Sequence, residues 1–329
     1  MARLVLGSIL GCGDTDPRSF LTTLSMRKIF FVLPVLFLTS CSVHKSIWRA
    51  YKNEAYADIL RICQAKDEAA DPRCQYALGT LYYYGQGVKK DRASAAEWFA
   101  KAASGNFKYA QMKLGELYFN GDGVDKDGTK AIDYWGKAAG NGLPEADYRL
   151  YIYHSSTKGD AVLAEKWLWK AAEAGSVSAQ VTLGTKLCED PKAPSCSTNG
   201  ISWLKEAATT RNLQAERSLG NTYFRRGDYK KALPLLLIAA NNGDTQSQFL
   251  SGIIYMLQED LHESYKWLWL ARAGQYPPAD LTLSQLESGM KPEEIKKDKL
   301  EAQKAGSRIK AGIKIRKDCS QQEAAFLGE

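Results

Sequence analysis

Seven cysteines and three histidines are the side chains with the widest chemical reach in this 329-residue chain, and their spacing favours structural bonds over turnover. His44, His154 and His262 stand far apart, so local spacing gives no pair that could share a proton or a metal. No Cys-x-x-Cys occurs, and no histidine lies close to Cys63, Cys74, Cys188 or Cys196, which leaves no zinc pattern. The run Gly123-Val-Asp-Lys-Asp-Gly128-Thr-Lys130 fails as a phosphate loop because its lysine follows the threonine instead of preceding it. It fails as a calcium loop because Gly123 and Tyr134 fall at the first and last ligand positions, which call for carboxylates. His-Glu-x-x-His and Gly-x-Ser-x-Gly are absent. The expectation is a chain with no catalytic residues, no metal and no cofactor.

One cysteine does carry a chemical expectation. Met26-Arg-Lys-Ile-Phe-Phe-Val-Leu-Pro-Val-Leu-Phe-Leu-Thr-Ser-Cys41 has two positive charges followed by an apolar run from Ile29 to Leu38. Ten apolar residues are too short to span a bilayer but fit a signal peptide. Leu38-Thr-Ser-Cys41 resembles the bacterial lipobox, which implies that Cys41 is lipidated and becomes the mature N-terminus, anchored through several acyl chains. Ser42, in place of aspartate, implies an outer-membrane address facing the periplasm. Residues 1–25, with Asp14, Asp16 and Pro17, do not fit a signal, so Met26 is the expected start and 26–40 the signal peptide.

The rest of the chain is built from a repeated block. Cys74-Gln-Tyr-Ala-Leu-Gly79-Thr-Leu-Tyr82 is matched by Ala110 to Tyr118 and Ala215 to Tyr223, with weaker copies at 146–154, 179–187 and 247–255. The aligned starts are 32 to 36 residues apart, the spacing of stacked helix pairs. The second half of each block opens on an aspartate (Asp91, Asp127, Asp160, Asp260) placed to cap a helix. Gly85 and Gly87, then Gly121 and Gly123, supply the positive φ of the turns between helices. A glycine inside the first helix, repeated at 79, 115, 184, 220 and 252, costs about 1 kcal/mol against alanine. Such a residue held in register predicts close approach of two helices.

These residues resemble the Sel1-like branch of the tetratricopeptide repeat family over roughly 74–279. The motif Ala-x-x-x-Leu-Gly-x-x-Tyr…Gly-x-Gly-Val…Asp-x-x-x-Ala…Trp…Ala-Ala…Gly is nearly complete from Cys74 to Gly142. The resemblance implies an all-α, right-handed α-solenoid that serves as a scaffold for protein complexes. Tyr151 replaces the glycine of the third unit, an irregular loop follows Cys188, and Pro234 falls inside a second helix. Some family members carry a penicillin-hydrolase label, but no nucleophile here has a base beside it.

Repeat register places the remaining candidates. In a compartment that permits disulfides, Cys188 with Cys196 would brace the loop between them. Cys63 and Cys74 occupy slots that hold Phe99 and Ala110 one repeat later, and those slots should face each other. The spacings permit both pairs, though connectivity does not follow from sequence. Positions three before, one after and four after the glycine share a helical stripe. It includes Tyr76, Tyr83, Met112, Phe119, Tyr148, Arg217, Asn221, Phe224 and Phe249. This stripe is the candidate partner-binding groove, suited to an apolar peptide or to sugar rings. The same aromatics could instead pack between helices. Trp98, Trp135, Trp167, Trp203 and Trp267 on the second helices are expected in the core.

Charge divides unevenly. From Cys41 onward there are 40 basic and 35 acidic residues, and 291–319 alone holds ten basic and five acidic, so the repeat body is near neutral. The basic tail could meet anionic headgroups or an acidic polymer, whereas an outer-membrane address argues against nucleic acid. The expected organisation is a lipid anchor and helical cap over 41–73, repeats over 74–279, and a capping helix with a basic tail over 280–329. The expected function is a non-catalytic outer-membrane scaffold binding protein partners of an envelope assembly, with polysaccharide export the first example to test. The alternative is a peptidoglycan- or saccharide-binding module.

Overall fold

Helix starts are set by short polar side chains. Asp91 accepts from the backbone N–H groups of Ala93 and Ser94, Asp127 from Lys130, Asp228 from Lys231 and Asp260 from Glu263. Each satisfies donors that a helix start leaves without an internal partner. Asp160 departs from the pattern: its carboxylate caps no backbone N–H and instead lies 3.0 Å from His154 Nδ1. Histidine in the tyrosine slot supplies that competing partner.

The computed structural model describes residues 46–51, 53–65, 69–156 and 160–327, with side chains as far as residue 313. The leader at 1–25, the signal segment at 26–40 and Cys41 lie outside the described residues. A helical stretch at 46–51 and α1 (Tyr56–Gln64) precede six helix pairs. The pairs are α2 (Pro72–Tyr84) with α3 (Arg92–Ser104), α4 (Lys108–Asn120) with α5 (Gly128–Gly140), and α6 (Pro144–Ser156) with α7 (Ala161–Glu173). Then come α8 (Val177–Leu187) with α9 (Ile201–Thr209), α10 (Leu213–Arg225) with α11 (Tyr229–Asn241), and α12 (Thr245–Leu257) with α13 (Leu261–Ala273). The chain closes with α14 (Pro277–Ser288) and α15 (Pro292–Leu327). This is an all-α solenoid of stacked pairs. Pro234 leaves α11 continuous, because it sits on an exposed side where the lost N–H costs little.

Within each pair the first-helix glycine receives a large side chain. A Cβ on Gly115 would stand 2.5 Å from Trp135 Nε1, and one on Gly79 would stand 2.7 Å from the Phe99 ring. Leu204, Leu236 and Leu268 take the same place against later glycines. Phe99, Leu204, Leu236 and Leu268 are buried completely or nearly so, as is Trp135 at 3% exposure. The tryptophans therefore do not form one core set. Trp135 and the wholly buried residues share one slot, whereas Trp98, Trp167 and Trp203 stand one residue earlier and are half-buried. Trp267 also takes the earlier slot and is buried there at 5%. One residue is a 100° turn of the helix, enough to move a ring from the glycine to the rim of the next unit.

Between pairs a side-chain clamp recurs. Gln111, Gln180 and Gln248 are buried, and each donates its Nε2 to the carbonyl eight residues earlier, at Ala103, Ala172 and Ala240. The clamp ties the end of one second helix to the next first helix. Glu216 occupies the same slot in α10, where a carboxylate has no hydrogen to offer the Ala208 carbonyl. Burial raises the Glu216 pKa, with Arg211 opposing. The folded state thus holds that proton at a pH where the unfolded chain has released it. Stability falls as pH rises through this interval and stays reduced above it. Glu216→Gln should therefore raise stability at neutral pH by about 1 kcal/mol, the net value of one hydrogen bond, and the gain should shrink in acid. Urea denaturation at neutral and acid pH measures both; an unchanged midpoint at neutral pH would show that the clamp contributes nothing.

Candidate functional site

Consecutive first helices touch one another, α6 with α8, α8 with α10 and α10 with α12, while second helices pack chiefly on first helices. The first helices accordingly line the inner face, where side chains from different units meet. The aromatic stripe lies on these helices, but much of it is turned between units. Tyr76 is buried at 7% against Phe99 and Phe107, and Met112 at 8% in the core beside Trp135. Those two positions are core and not a surface, because the angle between units closes over them.

The other members are half-buried and held. Tyr83 donates its hydroxyl to Asp122 Oδ2 at 2.8 Å, and Arg92 pairs with the other oxygen of the same carboxylate. Burial, and then the Asp122 carboxylate, push the Tyr83 phenol up to about 12. Phe119 lies 5.5 Å from Trp135 and 6.2 Å from Tyr153. Tyr148 shares a 2.9 Å hydrogen bond with Thr182 of the next unit. Phe224 packs on Tyr229 and Phe249 on Tyr276, each with its partner ring about one van der Waals layer away. Arg217 pairs with Asp244 at 3.0 Å, and Asn221 is half-buried between them and Phe224 along α10.

Charged side chains carry more of the inner face than the stripe suggests. Glu116 accepts from Lys113 at 3.2 Å and from Arg149 of the next unit at 2.8 Å. Lys113 also lies 4.8 Å over the Tyr83 ring. Three units are thereby cross-linked through one carboxylate, with Arg149 still 44% exposed. Lys113 and Arg149 lie outside the stripe, two residues before the glycine slot. Basic residues at that offset in these two consecutive units are the signal that reading for aromatics passes over.

Both cysteine pairs are bonded. Cys63 and Cys74 join α1 to α2 with their Cα atoms 5.1 Å apart, and Cys188 joins Cys196 at 4.4 Å. Cys196 falls where the other units carry the capping aspartate, but it does not cap the second helix. It lies in a π turn, Cys196–Gly200, that opens before α9. A Cβ on Gly200 would stand 2.5 Å from Cys188 Sγ, so the sulfur is packed onto that turn. Arg225 and Arg226 of the following unit donate to the Cys188, Glu189 and Pro191 carbonyls and hold the loop. None of these side chains forms a nucleophile with a base, and no cluster of metal ligands occurs among the described residues.

The Sel1 repeat model matches residues 72–107, 108–143, 145–176 and 217–244. These matches cover α2 to α7 and most of α10 and α11. The unit with the π turn and the last pair fall outside them but keep the same helix packing. A solved Sel1 repeat protein from Oxalobacter formigenes is 28% identical, covering 70% of this chain and 99% of that one, with a TM-score of 0.60. A protective antigen present in uropathogenic Escherichia coli strains, displaying an SLR fold, is 19% identical over 84% of this chain and 70% of that one, with a TM-score of 0.53. At that identity the antigen bears on the fold alone. The chain carries Sel1 repeats over the matched residues, within an all-α solenoid of stacked helix pairs suited to protein–protein interaction.

Proposed function

We propose that this protein is a lipid-anchored scaffold on the periplasmic side of the outer membrane, where its inner face gathers protein partners of an envelope assembly. The observation that carries the binding part is the continuous inner face of the first helices. Its rings and charges, from Tyr83 through Glu116 and Arg149 to Arg217, are fixed by bonds between units. Side chains ordered before a partner arrives lose little further entropy on binding. The lipobox-like Leu38-Thr-Ser-Cys41 supports the address, and the two disulfides accord with an oxidising compartment. No helix among the described residues is long and apolar enough to cross a membrane, so in this reading attachment falls to Cys41. Polysaccharide export is the first assembly to examine.

Two measurements test the reading. A photo-crosslinker at Tyr84 or Ile152, both exposed on first helices, should capture a defined partner in intact cells. The same group at Val162, 86% exposed at the start of second helix α7, should not. Equal capture from all three positions would remove the inner-face assignment. Labelled palmitate should enter the wild type and be lost in Cys41→Ser, which should leave the membrane fraction. A mature N-terminus elsewhere would overturn the anchor.

A further inference from the structure

The last helix covers the end of the solenoid with one face and leaves the opposite face bare. Ile295 packs with Leu283 and Leu286, while Ala305 and Ile309 pack with Leu270 and Trp267. His262 of α13 fixes α15 further through a 2.8 Å contact with the buried Asp298 carboxylate. On the outward side stand Lys296, Lys297, Lys304, Arg308 and Lys310, all exposed, outnumbering the exposed Glu293 and Glu301, with Leu300 52% exposed among them. Several basic side chains of the repeats are neutralised, as in Lys113–Glu116, Arg149–Glu116, Lys137–Asp133 and Arg217–Asp244. None of the ion pairs of the described residues uses these five cations. From 296 to 310 they run for about 20 Å along one helix.

We propose that this face of α15 is a docking surface for anionic phospholipid headgroups. Clustered lysine and arginine adsorb to a negatively charged bilayer surface through the field of many headgroups, with no pocket required. A straight helix held by its apolar side and presenting five unpaired cations has that form. Leu300, exposed in their midst, can enter the headgroup layer, as apolar residues of interfacial helices do. The groove beside α15, lined by Trp269, Leu270, Gln303 and Ile313, takes in only Lys310 of these cations, so an acidic protein would find no patterned set of partners there. Position agrees as well. α15 comes against α2, the same helix on which the start of the described chain packs through Ile47 and Tyr51. α15 as a whole thus reaches the unit on which the start of the described chain packs. Closeness to a membrane rests on the proposed lipid anchor, whereas the preference for anionic lipid does not.

The test uses the full chain with an environment-sensitive fluorophore at Ser307→Cys, in a background with Cys12, Cys41 and Cys319 changed to serine, mixed with vesicles. Phosphatidylcholine vesicles containing phosphatidylglycerol should shift the emission to the blue, and phosphatidylcholine alone should not. High salt should reverse the shift. Lys304→Gln with Arg308→Gln should weaken it about thirtyfold, since each basic residue at such a surface is worth roughly fivefold in binding. Lys166→Gln with Lys205→Gln, equal in charge and carried on the second helices α7 and α9, should leave it unchanged. The same spectrum in both vesicle types, or equal loss in both double variants, would overturn the proposal. So would a shift produced by an acidic polypeptide and not by vesicles, which would assign the face to a protein. Failure of palmitate labelling at Cys41 would sink the anchor alone, because the fluorophore reports on α15 independently of it.

Discussion

Trp135→Ala is expected to lower stability by about 3–5 kcal/mol, the range for truncating a buried aromatic. The ring is 3% exposed, rests on Gly115, and lies 5.5 Å from Phe119 of the same pair. Its loss would open a cavity at the crossing of α4 and α5, walled by backbone that cannot collapse into it. Trp98→Ala is the contrasting case. Trp98 lies one residue off the buried slot, half-buried, with Lys101 4.1 Å over its ring. Its truncation should cost about 1 kcal/mol, near the centre of ordinary substitutions. Urea unfolding would separate the two by midpoint. In a solenoid each pair is stabilised mainly by its neighbours, so Trp135→Ala should also broaden the transition by uncoupling the units on either side. Equal losses for the two tryptophans would show that the glycine-facing slot is not the energetic centre of a unit.

What was legible in the sequence is what is local and repeated. The capping aspartates, the positive-φ glycines at 85, 87, 121 and 123, and the contact at each first-helix glycine all follow from spacing within one unit. Cys63 and Cys74 could be paired because register put their slots face to face, and Cys188 with Cys196 because a bridge would brace the loop between them. Reading became unsafe wherever a one-residue shift changes the outcome. Trp98-Phe99 and Tyr134-Trp135 are adjacent aromatic pairs, and the sequence does not say which member turns inward. The inner stripe had the same difficulty for another reason. Whether Tyr76 or Met112 reaches the surface depends on the angle between units, which is fixed by packing over the whole stack. The Glu116 bridge to Arg149 and the approach of α15 to α2 are longer-range still. They join residues whose separation no period encodes.

Gly115→Ala should destabilise by about 1–2 kcal/mol although alanine favours helices by about 1 kcal/mol over glycine. The added Cβ would lie 2.5 Å from Trp135 Nε1, 2.6 Å from its Cδ1 and 3.2 Å from the Ala131 carbonyl oxygen. Backbone bounds one side and Phe119, itself backed by Tyr153, the other, so the ring cannot move without opening the stack. Overpacking of this kind costs about 1–3 kcal/mol, which outweighs the gain in propensity. Gly136, in the partner helix α5, supplies the opposite sign. It is exposed and a Cβ there would meet nothing within 4 Å, so Gly136→Ala should stabilise by about 1 kcal/mol. Combining Gly115→Ala with Trp135→Ala gives the decisive measurement. The methyl then enters the space the indole has left, and the penalty of the glycine change should vanish, giving a coupling energy of about 1–3 kcal/mol. If the two changes simply add, the glycine is not there for the tryptophan, and helix-to-helix approach would have to be explained by something other than this contact.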